Sequence, residues 1–344
     1  MSIAEKMASN QKQIAISEFF EKNKHFLGFD TLNRAIITAV KEAVDNSLDA
    51  CEEARILPDI TIEIQRVPKK KDHLILIAKD NGPGIPQKSI ENVFGKLLYG
   101  SRFHAIRQSR GQQGIGITGV VMYSQLTTGK QTYVKSKISS ESTAIEVNLG
   151  IDTRKNKAVK FSQERVIWTE EDQIIEHGLM IRTEMKAKFQ RGSQSIGQYL
   201  KMTSIVNPHA NIKFRYVNSD GEIEIDEFWK RATRNLPTPV NSIKPHPHGI
   251  HLGQLQRMLK DSDERKLTSF LRQNFSGVSS RAAKEVCNKA GLNDSAKPKL
   301  LKTEQINQLL EACSNVKFLP PPTNCLSPIE DLSLDILANF LISL

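Results

Sequence analysis

Cysteine is scarce in this chain, and the few that occur are scattered. The 344 residues include four cysteines, none of them in a CxxC spacing: Cys51, Cys287, Cys313 and Cys325. This usage favours neither a disulfide framework nor a zinc site, and it is typical of a protein kept in a reducing compartment. We therefore expect a cytoplasmic protein.

Long hydrophobic runs are also missing. No apolar stretch is long enough to span a bilayer, and residues 1–13 lack the hydrophobic core of a signal peptide. We expect no membrane partner. The composition is otherwise that of a globular chain, with 39% hydrophobic and 25% charged residues. The formal net charge of +10 is compatible with a polyanionic partner but does not by itself indicate one.

The order of apolar patterns predicts an α+β fold. Residues 32–54 should form a helix, because apolar residues recur there at helical spacing. Further helices are predicted at 90–98, 117–126 and 193–206, and strands at 61–67, 74–78, 131–138, 142–149, 158–167, 179–185 and 212–217. Helices interleaved with mostly antiparallel strands favour a layered α+β architecture over a doubly wound sheet.

Prolines mark the expected domain boundaries. Four of them fall between residues 236 and 249, a helical pattern follows to about residue 313, and Pro320 begins a second proline cluster. We predict an N-terminal arm at 1–30, a main domain at 31–236, a small helical domain at 237–316 and the start of a further domain at 317–344.

Three polar residues share one face of the first long helix. Glu42, Asn46 and Asp49 lie at i, i+4 and i+7, opposite its apolar stripe. Such a trio is often just a solvated face. The alternative is a site in which Glu42 acts on a water and the Asn46 oxygen binds Mg²⁺.

The segment from Asp80 to Pro86 follows a predicted strand. Gly82 and Gly84 would let a ligand approach the backbone, and the Asp80 carboxylate could accept a hydrogen bond from an amine. A plain surface turn has the same composition.

The GxxxxGK[ST] phosphate loop is absent, but another glycine-rich segment precedes a predicted helix. Gly111, Gly114 and Gly116 leave backbone amides free to line an anion site, and the N-terminus of the following helix adds positive potential. Ser101 and Arg102 stand upstream and could contact phosphate.

Taken together, the three elements resemble the GHKL ATPases, whose Bergerat fold packs helices on one face of a mixed, mostly antiparallel sheet. Glu42-Ala-Val-Asp-Asn46 resembles the helix motif of this family, and Asp80-Asn-Gly-Pro-Gly-Ile-Pro86 its adenine motif. The residues around them are similar to the B subunits of archaeal topoisomerase VI. This similarity is carried by Leu98 to Arg102, Ser109 to Ile117, Asn207-Pro-His209 and Lys244 to Gly249.

The resemblance implies ATP and Mg²⁺ as cofactors. It makes Glu42 the general base, Asn46 the Mg²⁺ ligand and Asp80 the acceptor for the adenine amino group. The remaining nucleotide contacts that it implies are Gly82, Gly84, Ser101, Arg102, Gly111, Gln112, Gln113, Gly114, Ile115, Gly116 and Ile117.

The resemblance also implies a function and partners. The chain would be the ATPase subunit of a type IIB DNA topoisomerase, in which ATP-driven dimer closure through residues 1–30 is coupled to double-strand passage by an A subunit. In that arm we expect Ile16, Phe19 and Phe20 to be buried only against a partner. Two A and two B subunits would form a heterotetramer on double-stranded DNA, with residues 250–316 as a helix–two-turns–helix domain. The alternative is an ATP-gated dimerising regulatory module without topoisomerase activity.

Two departures from the family bear on these expectations. After His177-Gly178 the family has a threonine near the adenine, whereas this chain has Leu179. The family's transducer domain supplies a lysine to the γ-phosphate; Pro320 to Pro328 resembles its entry, after which the sequence diverges. We expect that lysine to be absent, so that binding persists while hydrolysis and coupling are impaired.

Overall fold

The computed structural model describes residues 16–100, 106–111 and 114–327. Their contacts define two units. The described residues of the first unit are 16–100, 109–111 and 114–237, and those of the second are 106–108 and 238–327. None of the described helices is long and apolar enough to cross a membrane.

The first unit interleaves helices and strands, as the sequence predicts. In chain order its elements are α1 (Ile16–Asn23), α2 (Leu32–Glu53), β1 (Asp59–Arg66), β2 (His73–Asp80), α3 (Gln87–Gly95), α4 (Gly116–Thr128), β3 (Thr132–Lys137), β4 (Ala144–Asp152), β5 (Lys157–Val166), β6 (Thr169–Glu170), β7 (Gln173–Ile174), β8 (Gly178–Lys186), α5 (Ile196–Val206), β9 (Asn211–Val217) and β10 (Ile223–Trp229).

Eight of these strands form one sheet in the order β10-β9-β1-β2-β8-β3-β4-β5. Every neighbouring pair is antiparallel except β1 and β9, which are parallel. Burial alternates along β2, where Leu74, Leu76, Ala78 and Asp80 point to the covered face. The predicted mixed sheet with helices packed on one face is confirmed.

Helix α2 begins where the sequence predicts, since Thr31 caps it by accepting a 3.2 Å hydrogen bond from the backbone amide of Arg34. Its apolar stripe, which includes Val40, Val44 and Leu48, is fully buried against the sheet and its neighbours. The opposite side of the helix is therefore free to carry polar groups.

Two parts of the sheet region were not predicted. Strand β10 is mostly exposed and carries charged residues, so it lacks the apolar alternation by which a strand is found. Strands β6 and β7 have two residues each and form a separate small pair. Helix α3 also begins three residues earlier than expected, directly after Pro86.

Helix α1 contains part of the predicted arm, and the prediction for the burial of Phe20 is wrong. The sequence suggested that Ile16, Phe19 and Phe20 would be buried only against a partner. Phe20 is 2% exposed and packs inside its own unit, 5.6 Å from the Phe29 ring. Both rings lie against α4 at Gly119, where a Cβ would be in ordinary van der Waals contact with them at 3.7 Å. Residues 1–15 and the side chains of Ile16 and Phe19 lie outside the described part of the chain.

The second unit is helical, with α6 (Leu252–Asp261), α7 (Leu267–Asn274), α8 (Ser280–Lys289) and α9 (Thr303–Asn315) around a core of its own. The predicted serine cap is present, because Ser279 accepts a 3.1 Å hydrogen bond from the amide of Ala282. Residues 317–327 belong to this unit, and Phe318 packs against its core.

Candidate functional site

A cavity of about 890 Å³ opens in the first unit, beside α2. Its walls are α2, the ends of β2 and β8, the turn after β2, α3 and the start of α4. Nine of the residues predicted for the site line it: Glu42, Asn46, Asp80, Gly84, Gly111, Gly114, Ile115, Gly116 and Ile117. Ser101, Arg102, Gln112 and Gln113 lie outside the described residues, so their placement stays a prediction.

The polar trio of α2 is divided by the fold. Glu42 and Asn46 face the cavity, one helical turn apart. Asp49 is buried outside it, where its carboxylate accepts hydrogen bonds from Arg110 at 2.9 Å and from the Gly111 amide at 3.3 Å. Burial raises the pKa of Glu42, and the nearby negative charge of Asp45 raises it further. A carboxylate with a raised pKa is a better proton acceptor than an ordinary glutamate.

Asp80 lies at the floor of the cavity and is 6% exposed. Its Oδ2 accepts a 2.6 Å hydrogen bond from the Ser47 hydroxyl, and its Oδ1 accepts one of 2.9 Å from the Gly82 amide. Burial raises the pKa of Asp80, while these hydrogen bonds act in the opposite direction. The Leu179 amide is a third donor to this carboxylate. A carboxylate has about four acceptor sites, so the group can still accept one hydrogen bond from a ligand.

The turn after β2 is held close to the neighbouring strands. Gly84 has a φ of 72°, and a Cβ there would overlap the carbonyl oxygen of Lys137, so this position requires glycine. A ring nitrogen of His177 lies 2.9 Å from the carbonyl oxygen of Gly82. Gly82 itself does not line the cavity; it acts through its amide on Asp80.

The start of α4 forms another wall of the cavity. A Cβ at Gly116 would overlap the Glu42 carboxylate, so the glycine permits the helix start to approach α2. No side chain caps the helix at Ile115. The first amides of α4 therefore give this wall a positive potential, which suits an anion.

Several residues of the site were missed by the sequence analysis. Ser47 follows Asn46 directly, but its role depends on its contact with Asp80, which is 33 residues away. Leu179 was noted only as a departure, and it lines the cavity. Asn207 and His209 were noticed as part of a motif without a role. Both join a network around Arg110.

Comparison with known proteins identifies relatives along nearly the whole chain. Residues 31–153 match the family described as "Histidine kinase-, DNA gyrase B-, and HSP90-like ATPase". The B subunit of type 2 DNA topoisomerase 6 from Methanococcoides burtonii is 49% identical over 330 residues, 96% of this chain and 51% of the relative. The B subunit from Archaeoglobus fulgidus is 49% identical over 326 residues, 94% of this chain and 52% of the relative.

Among solved structures, the ATPase region of Saccharomyces cerevisiae topoisomerase II overlaps 63% of this chain and 62% of its own, with 10% identity and a TM-score of 0.42. The two sequence relatives share a much higher identity with this chain, 49% in each case. The chain spans about half the length of those curated relatives. Over that half, its sequence is similar to the B subunits of type 2 DNA topoisomerase 6.

Proposed function

We propose that the first unit binds ATP with Mg²⁺, and that the chain is the ATP-binding part of a type II topoisomerase subunit. In this proposal ATP closes a dimer, and the closure is coupled to double-strand passage by an A subunit. One observation carries the proposal. A buried carboxylate, Asp80, and an uncapped helix N-terminus at Ile115 line the same cavity. A ligand with an amine at one end and anionic groups at the other satisfies both.

The Asp80 end of the cavity suits an adenine. The carboxylate is an acceptor for an exocyclic amine, and Ser47 and Gly82 hold it in place. Ala78, Leu179 and Ile181 add apolar wall beside it. A flat, mostly apolar base with one amino group fits these surroundings.

The α4 end suits the phosphates. Gly111, Gly114 and Gly116 keep side chains out of the way, and the uncapped start of α4 offers amides to an anion. Ser101, Arg102, Gln112 and Gln113 are proposed to complete this end by the family resemblance alone.

Asn46 and Glu42 lie between these two ends of the cavity, on α2. The Asn46 side chain offers a neutral oxygen of the kind that Mg²⁺ accepts. When bound, Mg²⁺ would offset the negative charge of the phosphates. Glu42 would take a proton from the attacking water, a role that its raised pKa favours.

The partners follow from the relatives named as topoisomerase subunits. We propose two A and two B subunits acting on double-stranded DNA, with an ATP-dependent pair of B subunits. Residues 31–236 would be the ATPase domain and 237–316 a helix–two-turns–helix domain. Residues 317–344 would be the start of a transducer, although residues 317–327 group with the helical unit. Between residues 244 and 316 there are 12 Lys and Arg against 7 Asp and Glu, a balance that suits DNA.

Calorimetry with a non-hydrolysable ATP analogue tests the proposal. We expect binding that strengthens when Mg²⁺ is added. No heat at millimolar nucleotide with Mg²⁺ would remove ATP binding from the proposal. A pull-down with the A subunit of the Methanococcoides burtonii enzyme tests the topoisomerase role, and failure to associate would favour an ATP-gated dimerising module.

A further inference from the structure

Arg110 is the last residue before the glycine-rich segment, and it is joined to two other parts of the fold. Its guanidinium donates two hydrogen bonds of 2.9 Å to Glu52 and one of 2.9 Å to Asp49, both on α2. It donates another of 2.6 Å to the side-chain oxygen of Asn207, just after α5. His209 completes the group by contacting Glu52 at 2.9 Å.

This network is charged, and its acceptors are more buried than Arg110 itself, whose side chain is 29% exposed. Asp49, Asn207 and His209 are each less than a tenth exposed. Burial alone would raise the pKa of Glu52, but the hydrogen bonds from His209 and Arg110 outweigh it and leave that pKa lowered. The fork of two parallel hydrogen bonds from Arg110 to Glu52 is a geometry that lysine cannot reproduce. The guanidinium is therefore held in one orientation.

The network fixes one end of the glycine-rich segment on α2, and the fold fixes the other end on the same helix. The Gly111 amide donates to Asp49, and Gly116 lies against Glu42. Asp49 and Glu42 are seven residues apart, or about 10 Å along the helix. Asn46 stands between them, and a Cβ placed on Gly111 would be 3.4 Å from its Oδ1.

We propose that Arg110 is a positioning residue for the magnesium and phosphate end of the site. It holds Gly111 over Asn46 and thereby sets the space available to a hydrated cation and the phosphates it binds. Asp80 is held by hydrogen bonds from Ser47 and Gly82, so the proposed adenine acceptor has its own supports. The inference rests on the proposed function. It predicts that Arg110 affects binding of the magnesium and phosphate part of the ligand and not of the adenine part.

The test is the gain in affinity for a non-hydrolysable ATP analogue when Mg²⁺ is added, measured by calorimetry. In Arg110→Met we expect that gain to fall by about tenfold or more, the scale of a lost charged hydrogen bond. Affinity without Mg²⁺ should change by less than about threefold, well below the effect of losing such a bond. In Arg110→Lys the magnesium gain should lie between the gains of the parent chain and of Arg110→Met. Lysine keeps the positive charge but cannot make the two parallel hydrogen bonds to Glu52.

Arg215→Met is the matched control. Its guanidinium pairs with Glu63 and Asp226 on the sheet, away from the cavity. We expect its magnesium gain to equal that of the parent chain. If Arg110→Met does not fold, judged by its thermal transition, Asn207→Ala removes one acceptor from Arg110 and should lower the gain in the same direction.

The outcomes separate the two proposals. A parent chain that does not bind the analogue contradicts the proposed function. A parent chain that binds, with an unchanged magnesium gain in the folded Arg110 or Asn207 variants, overturns the positioning role alone. Equal losses with and without Mg²⁺ would also overturn it, since they would indicate a general structural effect.

Discussion

The Ser47 hydroxyl donates a 2.6 Å hydrogen bond to Asp80 Oδ2 at the floor of the cavity. The serine is on α2 and the aspartate ends β2, so this bond ties the helix that carries Glu42 and Asn46 to the strand that carries the proposed adenine acceptor. Because burial raises the pKa of Asp80, such donors help to keep the carboxylate ionised and aimed into the cavity.

Replacing Asp80 by asparagine should weaken nucleotide binding strongly. An amide presents both a donor and an acceptor where the carboxylate only accepts, and a hydrogen bond to a charged group contributes about 1.5–3 kcal/mol. Calorimetry with an ATP analogue measures the change. Asp226→Asn, on the exposed edge strand β10, is the control and should bind as the parent does. Equal affinity in Asp80→Asn would remove Asp80 from the site.

Replacing Glu42 by glutamine should keep nucleotide binding and abolish hydrolysis. The amide has nearly the same shape but cannot accept the proton of water, and a general base contributes about 10²–10⁴-fold in rate. Hydrolysis is best compared in a version joined to the segment that follows the matched region in the Methanococcoides burtonii relative. Hydrolysis at the parent rate would show that Glu42 is not the base.

The pH dependence of hydrolysis should reflect the raised pKa of Glu42. The base acts in its deprotonated form, so the rate should fall as the pH drops through this pKa. Since burial raises that pKa, the fall should begin at a higher pH than for an exposed glutamate, whose pKa is about 4.3. A rate profile from about pH 4 to about pH 9 at saturating nucleotide tests this, and a rate that stays constant down to about pH 4 would contradict it.

Leu179 offers a gain-of-affinity test. It lines the cavity where the family resemblance places a threonine. Leu179→Thr should restore a hydroxyl that can bond to the adenine or to an associated water, strengthening binding by about 1 kcal/mol. The affinity of this variant for an adenine nucleotide is compared with that of Leu179→Val, which has threonine's shape without the hydroxyl. Equal affinities in the two variants would mean that the hydroxyl does not contribute.

The arm can be separated into a part that serves the monomer and a part proposed to serve the dimer. Phe20 packs within its own unit, so Phe20→Ala should lower the free energy of unfolding by about 3 kcal/mol. Deleting residues 1–15 should instead leave stability and monomer affinity nearly unchanged and weaken the nucleotide-induced dimer. Thermal unfolding and light scattering measure the two effects. Unaltered dimerisation after the deletion would remove the arm from the mechanism.

Much of the site is visible in the sequence because its spacing is local. Glu42 and Asn46 must share a face once a helix forms, since four residues complete about one turn. Asp80 must lie at the end of a strand, because the glycines and prolines that follow it predict a turn. These features depend on backbone geometry that neighbouring residues determine.

The residues that spacing did not explain are those whose partners lie far away in the chain. Arg110 reaches Glu52 and Asn207, which are 58 and 97 residues from it. Asp49 shares the helical face of Glu42 and Asn46, yet it is taken up by Arg110 and Gly111 instead of facing the cavity. No periodicity encodes such contacts.

The sequence by itself determined the α+β order of elements, the helix that presents Glu42 and Asn46, and the glycines of the two turns that line the cavity. That a side chain would not fit at Gly84 depends on the Lys137 carbonyl, which the fold brings close. Only the tertiary structure decided which polar groups face the cavity and which are paired behind it. The physical reason is that a buried charge must find its partner wherever the packed elements bring one within hydrogen-bonding distance. Ser47 and Asp80 meet in this way, as do Arg110, Glu52 and Asn207.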